Sequence, residues 1–199
     1  MSGTKEHILL TALRLFARDG YEAVSVSQIA GALGMTKGAL YKHYKNKRDI
    51  FDHILARMEQ LDGEYAQAYD LPTDTPDRMA EEYRRASIQQ VIAFSKAMFR
   101  HWTEEEFACC FRKMLTLEQY RDREMGALYQ QYLGTGPLGY VTDLFQSLDI
   151  PNPREAALAF YGPMYLLYIC YDASADKQEP MDRLEAHFAA MEDLLERGK

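Results

Sequence analysis

Apolar residues recur along this chain at the three-to-four-residue spacing of helices that bury one face. Ile8, Leu9, Ala12, Leu13 and Phe16 form a first stripe, opened at Thr4 and stopped by Gly20. Ile29, Ala30 and Leu33 form a second, shorter one. Ser25 and Gln28 stand before it at the spacing of a capping box, in which each side chain satisfies an orphan amide. Gly34 follows and suits the left-handed residue that ends a helix. Thr36 is then the N-cap of a helix of about two turns. Ala30 is small enough for two helices to approach, and Met35 and Leu40 fill the space between them. This is the grammar of a helix-turn-helix. Asn46 next caps a long helix carrying Ile50, Phe51, Ile54, Leu55, Met58, Leu61 and Tyr65.

Beyond it, Leu71-Pro72-Thr73-Asp74 breaks the pattern and reads as a hinge. Thr75 and Pro76 restart a helix that carries Tyr83, Ile88, Val91, Ile92, Ser95, Met98 and Phe99. Thr103 and Glu106 have capping-box spacing and predict a helix through Phe107, Cys110, Phe111, Met114, Leu115 and Leu117. Asp122 opens another through Met125, Leu128, Tyr129 and Tyr132. The run Gly134-Thr135-Gly136-Pro137 cuts the pattern before Val141, Leu144 and Phe145 resume it. Asn152 and Pro153 start a helix from Ala156 to Cys170, in which Gly162-Pro163 predicts a kink. The last helix starts near Pro180. Alternation never persists and β-branched residues are sparse, so the fold class is all-α.

Charge changes the picture. The net charge is −7, but residues 1–57 carry +4 and the remainder −11. From Thr36 to Arg48 there are five basic residues (Lys37, Lys42, Lys45, Lys47 and Arg48) and no acidic one. A solvated basic face is the ordinary reading of such a run. Here it sits on a compact helix after a Gly-marked turn, beside Tyr41, His43 and Tyr44. With Leu40 inward, Gly38 and Lys42 point outward, and small residues at the helix start allow approach to base edges. Lys and Arg bind phosphate and guanine, and tyrosine hydroxyls reach phosphate oxygens. The amino end of the Asn46 helix, with Lys47, suits a further phosphate. The segment reads as DNA-binding, and the acidic remainder is expected to face away from DNA.

At these residues a family becomes visible. The run GALYKHYKNKRDIFDHIL, preceded by ILLTALRLFARDGYEAVSVSQIAGALGM, resembles the DNA-binding region of the TetR family of one-component repressors. The resemblance covers roughly Lys5 to Leu55, and its most specific part is Leu40-Tyr41-x-His43-Tyr44-x-Asn46-Lys47. It implies a homodimer of helical subunits. An amino-terminal domain, residues 1–55, would grip a near-palindromic double-stranded operator. A carboxy-terminal domain, residues 56–199, would sense a small molecule and dimerise. The candidate DNA contacts are Ser25, Ser27, Thr36, Lys37, Gly38, Ala39, Tyr41, Lys42, His43, Tyr44 and Lys47. The resemblance assigns the last two helices to a four-helix dimer interface, with Ala156, Phe160, Leu184, Phe188, Met191 and Leu195 as its candidates. The apolar coverage of both helices agrees, being broader than one core contact requires.

The acidic half is rich in large, partly polar side chains that suit an aromatic-lined cavity. Its candidate lining is Phe99, Trp102, Phe107, Phe111, Met114, Tyr129, Tyr132, Tyr161 and Tyr165, for a hydrophobic or aromatic effector. Most of these must also be ordinary core, and for any one of them core is the first reading. His101, Arg112 and Glu118 are candidates for a charged group there, the last two being read first as a surface ion pair. A cysteine nucleophile at Cys109 or Cys110 with His101 as base lacks an orienting group and an oxyanion site. Hydrolase elbows, phosphate loops and zinc spacings are absent, so no enzyme, cofactor or metal is expected. A protein-interaction module that has lost DNA binding is the other rival, and the intact basic string argues against it. Cys109, Cys110 and Cys170 read as buried thiols of a reducing compartment. No apolar run is long enough to cross a bilayer and no leader precedes the first helix, so the cytoplasm is the expected location.

Overall fold

The computed structural model describes residues 3–68 and 87–197. Among them are ten helices and no strand, so the fold is all-α. They are α1 (Gly3–Asp19), α2 (Val26–Ala32), α3 (Lys37–Tyr41), α4 (Lys47–Ala68), α5 (Ile88–Glu104), α6 (Glu106–Glu118), α7 (Arg123–Leu133), α8 (Thr135–Ser147), α9 (Pro153–Ala173) and α10 (Gln178–Arg197). The hinge expected at Leu71–Asp74 and the restart at Thr75, Pro76 and Tyr83 lie outside the described residues.

Two compact units result. The first joins residues 1–62 to 106–129; the second joins 63–105 to 130–199. In the first, Ile8, Leu9, Leu13 and Phe16 of α1 meet Ile29, Leu40, Ile50, Phe51 and Ile54, all fully enclosed. Phe16, Tyr21 and Phe51 form a ring chain with centroids 5.1 and 5.2 Å apart. The other flank of α1 is covered by α6, which buries Ala108, Phe111, Met114 and Leu115 completely. Arg14 of α1 grips Glu106 of α6 through two hydrogen bonds of 2.6 and 2.7 Å.

The second unit packs α9 against α8, α10 and α5. Phe145, Phe160 and Phe188 step across α8, α9 and α10 with ring centroids 5.3 and 5.0 Å apart. Each such ring removed from water contributes about 1.5–3 kcal/mol. His187 donates from Nε2 to the Phe160 carbonyl, 2.8 Å away, tying α10 to α9.

Three local expectations are corrected. Thr103 opens no helix: α5 runs on to Glu104, and the Thr103 hydroxyl donates to the Phe99 carbonyl within it at 2.7 Å. The break falls two residues later, where Glu105 takes an extended conformation. The glycine run after Leu133 does not separate α7 from α8 by a loop, because only Gly134 lies between them. A side-chain carbon at Gly136 would fall 2.0 Å from the Gln131 carbonyl oxygen, so the close join needs glycine. Arg112 and Glu118 form no surface pair; both are buried, 4% and 1% exposed, because they lie on the covered faces of α6.

Candidate nucleic-acid interface

The interface is built from its turn outward. Ser25 caps α2 with the expected box: its Oγ accepts from the Gln28 amide at 3.2 Å, and its own amide donates to Gln28 Oε1 at 2.7 Å. At the other end Gly34 has φ +65°, and the amides of Gly34 and Met35 donate to the carbonyls of Gly31 and Ala30. These two bonds are the paired closure of a Schellman turn, which turns the chain sharply and satisfies carbonyls a free helix end would leave open. Thr36 then starts α3, its Oγ1 accepting from the Ala39 amide at 3.1 Å. Asn46 caps α4 through the Asp49 amide at 2.8 Å.

One face of α3 is thereby anchored and the other presented. Leu40 is fully buried, whereas Lys37, Gly38, Tyr41 and Lys42 are exposed, with Ser25, Ser27 and Thr36 open beside them. Ala39 and His43 are half-buried on the flanks. The Lys37 ammonium lies 5.6 Å from the centre of the Tyr41 ring, which keeps both side chains over the same surface. Lys42 and Lys45 are exposed and have no ion-pair partner among the described residues. Lys45, outside the expected contacts, is a further phosphate candidate by its exposure.

Two candidates are corrected. Tyr44 is 1% exposed; its hydroxyl donates to the Lys5 carbonyl at 3.2 Å and its ring meets His53. Burial pushes its phenol up to about 12. It is a core residue that ties α1 to the end of α3, with no surface to offer DNA. Lys47 is half-buried and turned inward. Its Nζ donates to the carbonyls of Tyr21 (2.9 Å) and Glu22 (3.3 Å) and sits 4.3 Å from the centre of the Tyr21 ring. The fifth cation of the run is also engaged: Arg48 holds Glu124 through two 2.6 Å bonds and Asp52 through one of 2.7 Å. Those bonds raise the Arg48 guanidinium and hold the Glu124 carboxyl below its ordinary range. Three of the five basic residues, Lys37, Lys42 and Lys45, therefore remain for a partner.

The segment that carries this arrangement is similar in sequence to known regulators. The family described as "Bacterial regulatory proteins, tetR family" matches residues 8–54. The chain carries a TetR-family DNA-binding domain. It is 44% identical over 66 residues to the HTH-type transcriptional regulator AcrR of Shigella flexneri, covering 33% of this chain and 31% of that protein. It is 41% identical over 54 residues to the HTH-type transcriptional repressor BepR of Brucella suis biovar 1, covering 27% of this chain and 26% of that one. The match thus spans less than half of the length of each of these curated relatives, about a third or less for AcrR and BepR. Two solved structures share the fold along the whole chain. The fatty acid degradation regulator FadR from Bacillus halodurans aligns with a TM-score of 0.61 at 17% identity, covering 98% of this chain and 95% of that one. SmeT, the repressor of the Stenotrophomonas maltophilia multidrug efflux pump SmeDEF, aligns with a TM-score of 0.57 at 20% identity, covering 95% and 90%.

Outside the TetR-type domain, the nine residues expected to line one cavity divide between the units. Phe107, Phe111, Met114 and Tyr129 belong to the first; Phe99, Trp102, Tyr132, Tyr161 and Tyr165 belong to the second. Within the second, Trp102 meets Tyr132 with ring centroids 6.0 Å apart, and Phe99 stacks on Tyr168 at 5.0 Å. The Tyr161 hydroxyl donates to the Leu133 carbonyl at 2.7 Å.

The proposed dimer residues also need correction. Phe160, Leu184 and Phe188 are fully enclosed within their own unit, Met191 and Leu195 nearly so, and Ala156 is half-buried. Enclosed side chains have no surface left for a second chain. Leu158, Leu166 and Ile169 of α9 and Leu194 of α10 are the apolar residues these helices expose, at 57–61%. The signal is in the sequence: α9 is apolar on two sides, and the expected residues lie on the side that packs within the chain.

No helix among the described residues is long and apolar enough to cross a membrane. No group of His, Cys, Asp or Glu suited to hold a metal ion occurs among them.

Proposed function

We propose that this protein is a sequence-specific transcriptional regulator, a repressor that occupies a near-palindromic operator as a homodimer in the cytoplasm. The observation that carries the reading is the exposed face of α3, with Lys37, Gly38, Tyr41 and Lys42 outward, Leu40 buried, and no acidic residue from Thr36 to Arg48. A short helix held at its amino end by a closed turn and bare of anionic competition fits the major groove. Residues 1–55 supply the reading head and residues 56–199 the effector and dimer functions. The names of relatives point the same way, BepR and SmeT being repressors. A small hydrophobic or aromatic effector releases the operator. Support for that step is the ring-rich interior of the second unit, where Trp102, Tyr132 and half-buried Tyr165 combine apolar surface with hydroxyls.

The experiment is selection of bound fragments from the source genome, followed by footprinting and binding at graded salt. The expected result is a protected two-fold symmetric site whose half-sites lie about 34–36 Å apart. Its affinity falls steeply with salt as counterions are released. A protein that enriches no fragment, or retains DNA without salt dependence, is not this regulator.

A further inference from the structure

Within the first unit, residues 1–62 with 106–129, one cation of the basic run is held unlike the others. Arg48 is the second residue of α4, three positions after exposed Lys45. All three of its side-chain nitrogens donate to carboxylates. Nη1 and Nη2 each donate to one oxygen of Glu124 at 2.6 Å, and Nε donates to Asp52 at 2.7 Å. The guanidinium also lies over the Phe51 ring, 5.4 Å from its centre. Two carboxylates meet one guanidinium, so this corner of an otherwise basic surface is left net negative.

Glu124 lies outside the residues 8–54 that match the family's segment and stands in the first turn of α7. A carboxylate at that end of a helix is favoured by the helix dipole. The Arg48 guanidinium holds it below its ordinary range, so it is ionised. A guanidinium fork grips a carboxylate and a phosphate by the same pair of parallel bonds. Glu124 thus makes with Arg48 the bonds that a phosphate would make. The side chains of Arg48, Asp52 and Glu124 are all about half exposed. Ion pairs so open to water add little to stability. A buried pair would be fixed into the fold, whereas this one can be exchanged for another anion without opening the core. Neighbouring Lys47 offers no such exchange, because its ammonium rests on backbone carbonyls.

We propose that Arg48 is a reserve phosphate contact of the DNA-binding surface, and that Glu124 is its internal competitor, withholding one cation from DNA in the free protein. The partner is taken from the DNA-binding reading, on which the proposal rests; the ion pair itself does not depend on it. Exposed Lys37, Lys42 and Lys45 set the charge available at first encounter. Arg48 adds to it only where Glu124 gives way. Asp52 is the weaker holder, with a single bond across one helical turn against the two parallel bonds of Glu124. Each phosphate neutralised by a cation steepens the fall of log affinity with log salt by about 0.9. Glu124 therefore limits affinity for every duplex, operator or not.

The test uses the full chain and a random-sequence duplex, with affinity followed at graded salt by fluorescence anisotropy. The variants are Glu124→Gln, Glu124→Ala, Arg48→Gln, Glu22→Gln and the Glu124→Gln/Arg48→Gln double variant. Circular dichroism melts accompany each, and two substitutions at Glu124 keep the test decisive if one of them unsettles α7. Both are expected to raise affinity by about five- to tenfold at about 0.1 M salt and to steepen the salt slope by about 0.9. Arg48→Gln alone should leave the slope near wild type, and the double variant should return to it. Glu22 is exposed and makes no ion pair among the described residues. Glu22→Gln therefore makes the same change of charge without releasing Arg48, and should move the slope by less than half as much. An unchanged slope in both Glu124 variants, a slope already lowered by Arg48→Gln alone, a gain that survives in the double variant, or an equal gain from Glu22→Gln each overturns the proposal. If selection from the genome enriches no fragment, the regulator reading fails, while the random-duplex slopes still decide whether Glu124 withholds Arg48.

Discussion

Two lysines five positions apart have opposite duties in this domain. Lys42 is exposed, without an ion-pair partner among the described residues. Lys47 spends its ammonium on two backbone carbonyls and the Tyr21 ring. Lys42→Ala should leave the melting temperature unchanged, while weakening the preferred operator by about 1–3 kcal/mol relative to random DNA. Lys47→Ala should destabilise the fold by about 1–3 kcal/mol, the worth of hydrogen bonds to a charged group, and weaken all sequences alike. Thermal melts and fluorescence anisotropy on operator and scrambled duplexes separate the two. Equal loss on both duplexes for Lys42→Ala would show that Lys42 only positions the helix. His101 makes a second residue-scale prediction. It faces Glu105, Tyr65 and the Trp102 ring, and burial lowers its imidazole from 6.5 to about 4. The unfolded chain then binds the proton first. The contribution is intact above about pH 6.5 and falls as pH drops toward 4, by about 3 kcal/mol in all. Glu105, raised by burial, acts in the opposite sense, since its contribution is present in acid and fades as pH rises through its raised pKa. That carboxylate is about half exposed, so His101 sets the sign. Urea unfolding from pH 7 to 4.5 should show a shallower decline for His101→Gln than for wild type; parallel curves would count against the assignment.

At the scale of elements, what was legible depended on whether a feature is local. The capping box at Ser25, the left-handed Gly34, the Thr36 cap and the Asn46 cap are each specified within a few residues, and each forms as its residues dictate. Thr103-x-x-Glu106 has the same spacing as the Ser25 box and fails. The helix before it has an apolar face that continues through Trp102, and burial there outweighs a cap worth about 1 kcal/mol. The run Gly134-Thr135-Gly136-Pro137 predicts a cut in the pattern, and the cut is confined to Gly134. Glycine there lets α8 start with a single residue between it and the end of α7. The candidate interface divides along the same line. Exposure of Gly38 and Lys42 follows from helical phase relative to Leu40. The inward turn of Lys47 depends on carbonyls 25 and 26 residues away. The burial of Tyr44 depends on Lys5, 39 residues away. No spacing rule reaches that far.

At the scale of the molecule, the unfinished feature is the outer side of α9 and α10. Their inner sides are consumed within the subunit by Phe160, Leu167, Leu184, Phe188 and Leu195. The outer side of α9 exposes Leu158, Leu166 and Ile169 at helical spacing, and α10 exposes Ala186, Ala190 and Leu194 at spacings of four. Three leucines and an isoleucine about 60% open to water on two packed helices form a patch of the kind that marks an association site. A second copy offering the same stripe would complete a four-helix arrangement, and small Ala186 and Ala190 permit close approach. Leu166→Glu with Ile169→Glu should therefore yield a folded monomer with a near-native melting profile. Its operator affinity should drop by about a hundredfold or more, because the second half-site is no longer engaged within one complex. Leu184→Glu and Phe188→Glu, placed where the chain packs on itself, should instead unfold the second unit. Sedimentation at micromolar concentration together with near-ultraviolet circular dichroism distinguishes monomer formation from unfolding. A wild-type monomer, or a dimer that survives both glutamates on α9, would place the association surface elsewhere and leave the exposed leucines without this role.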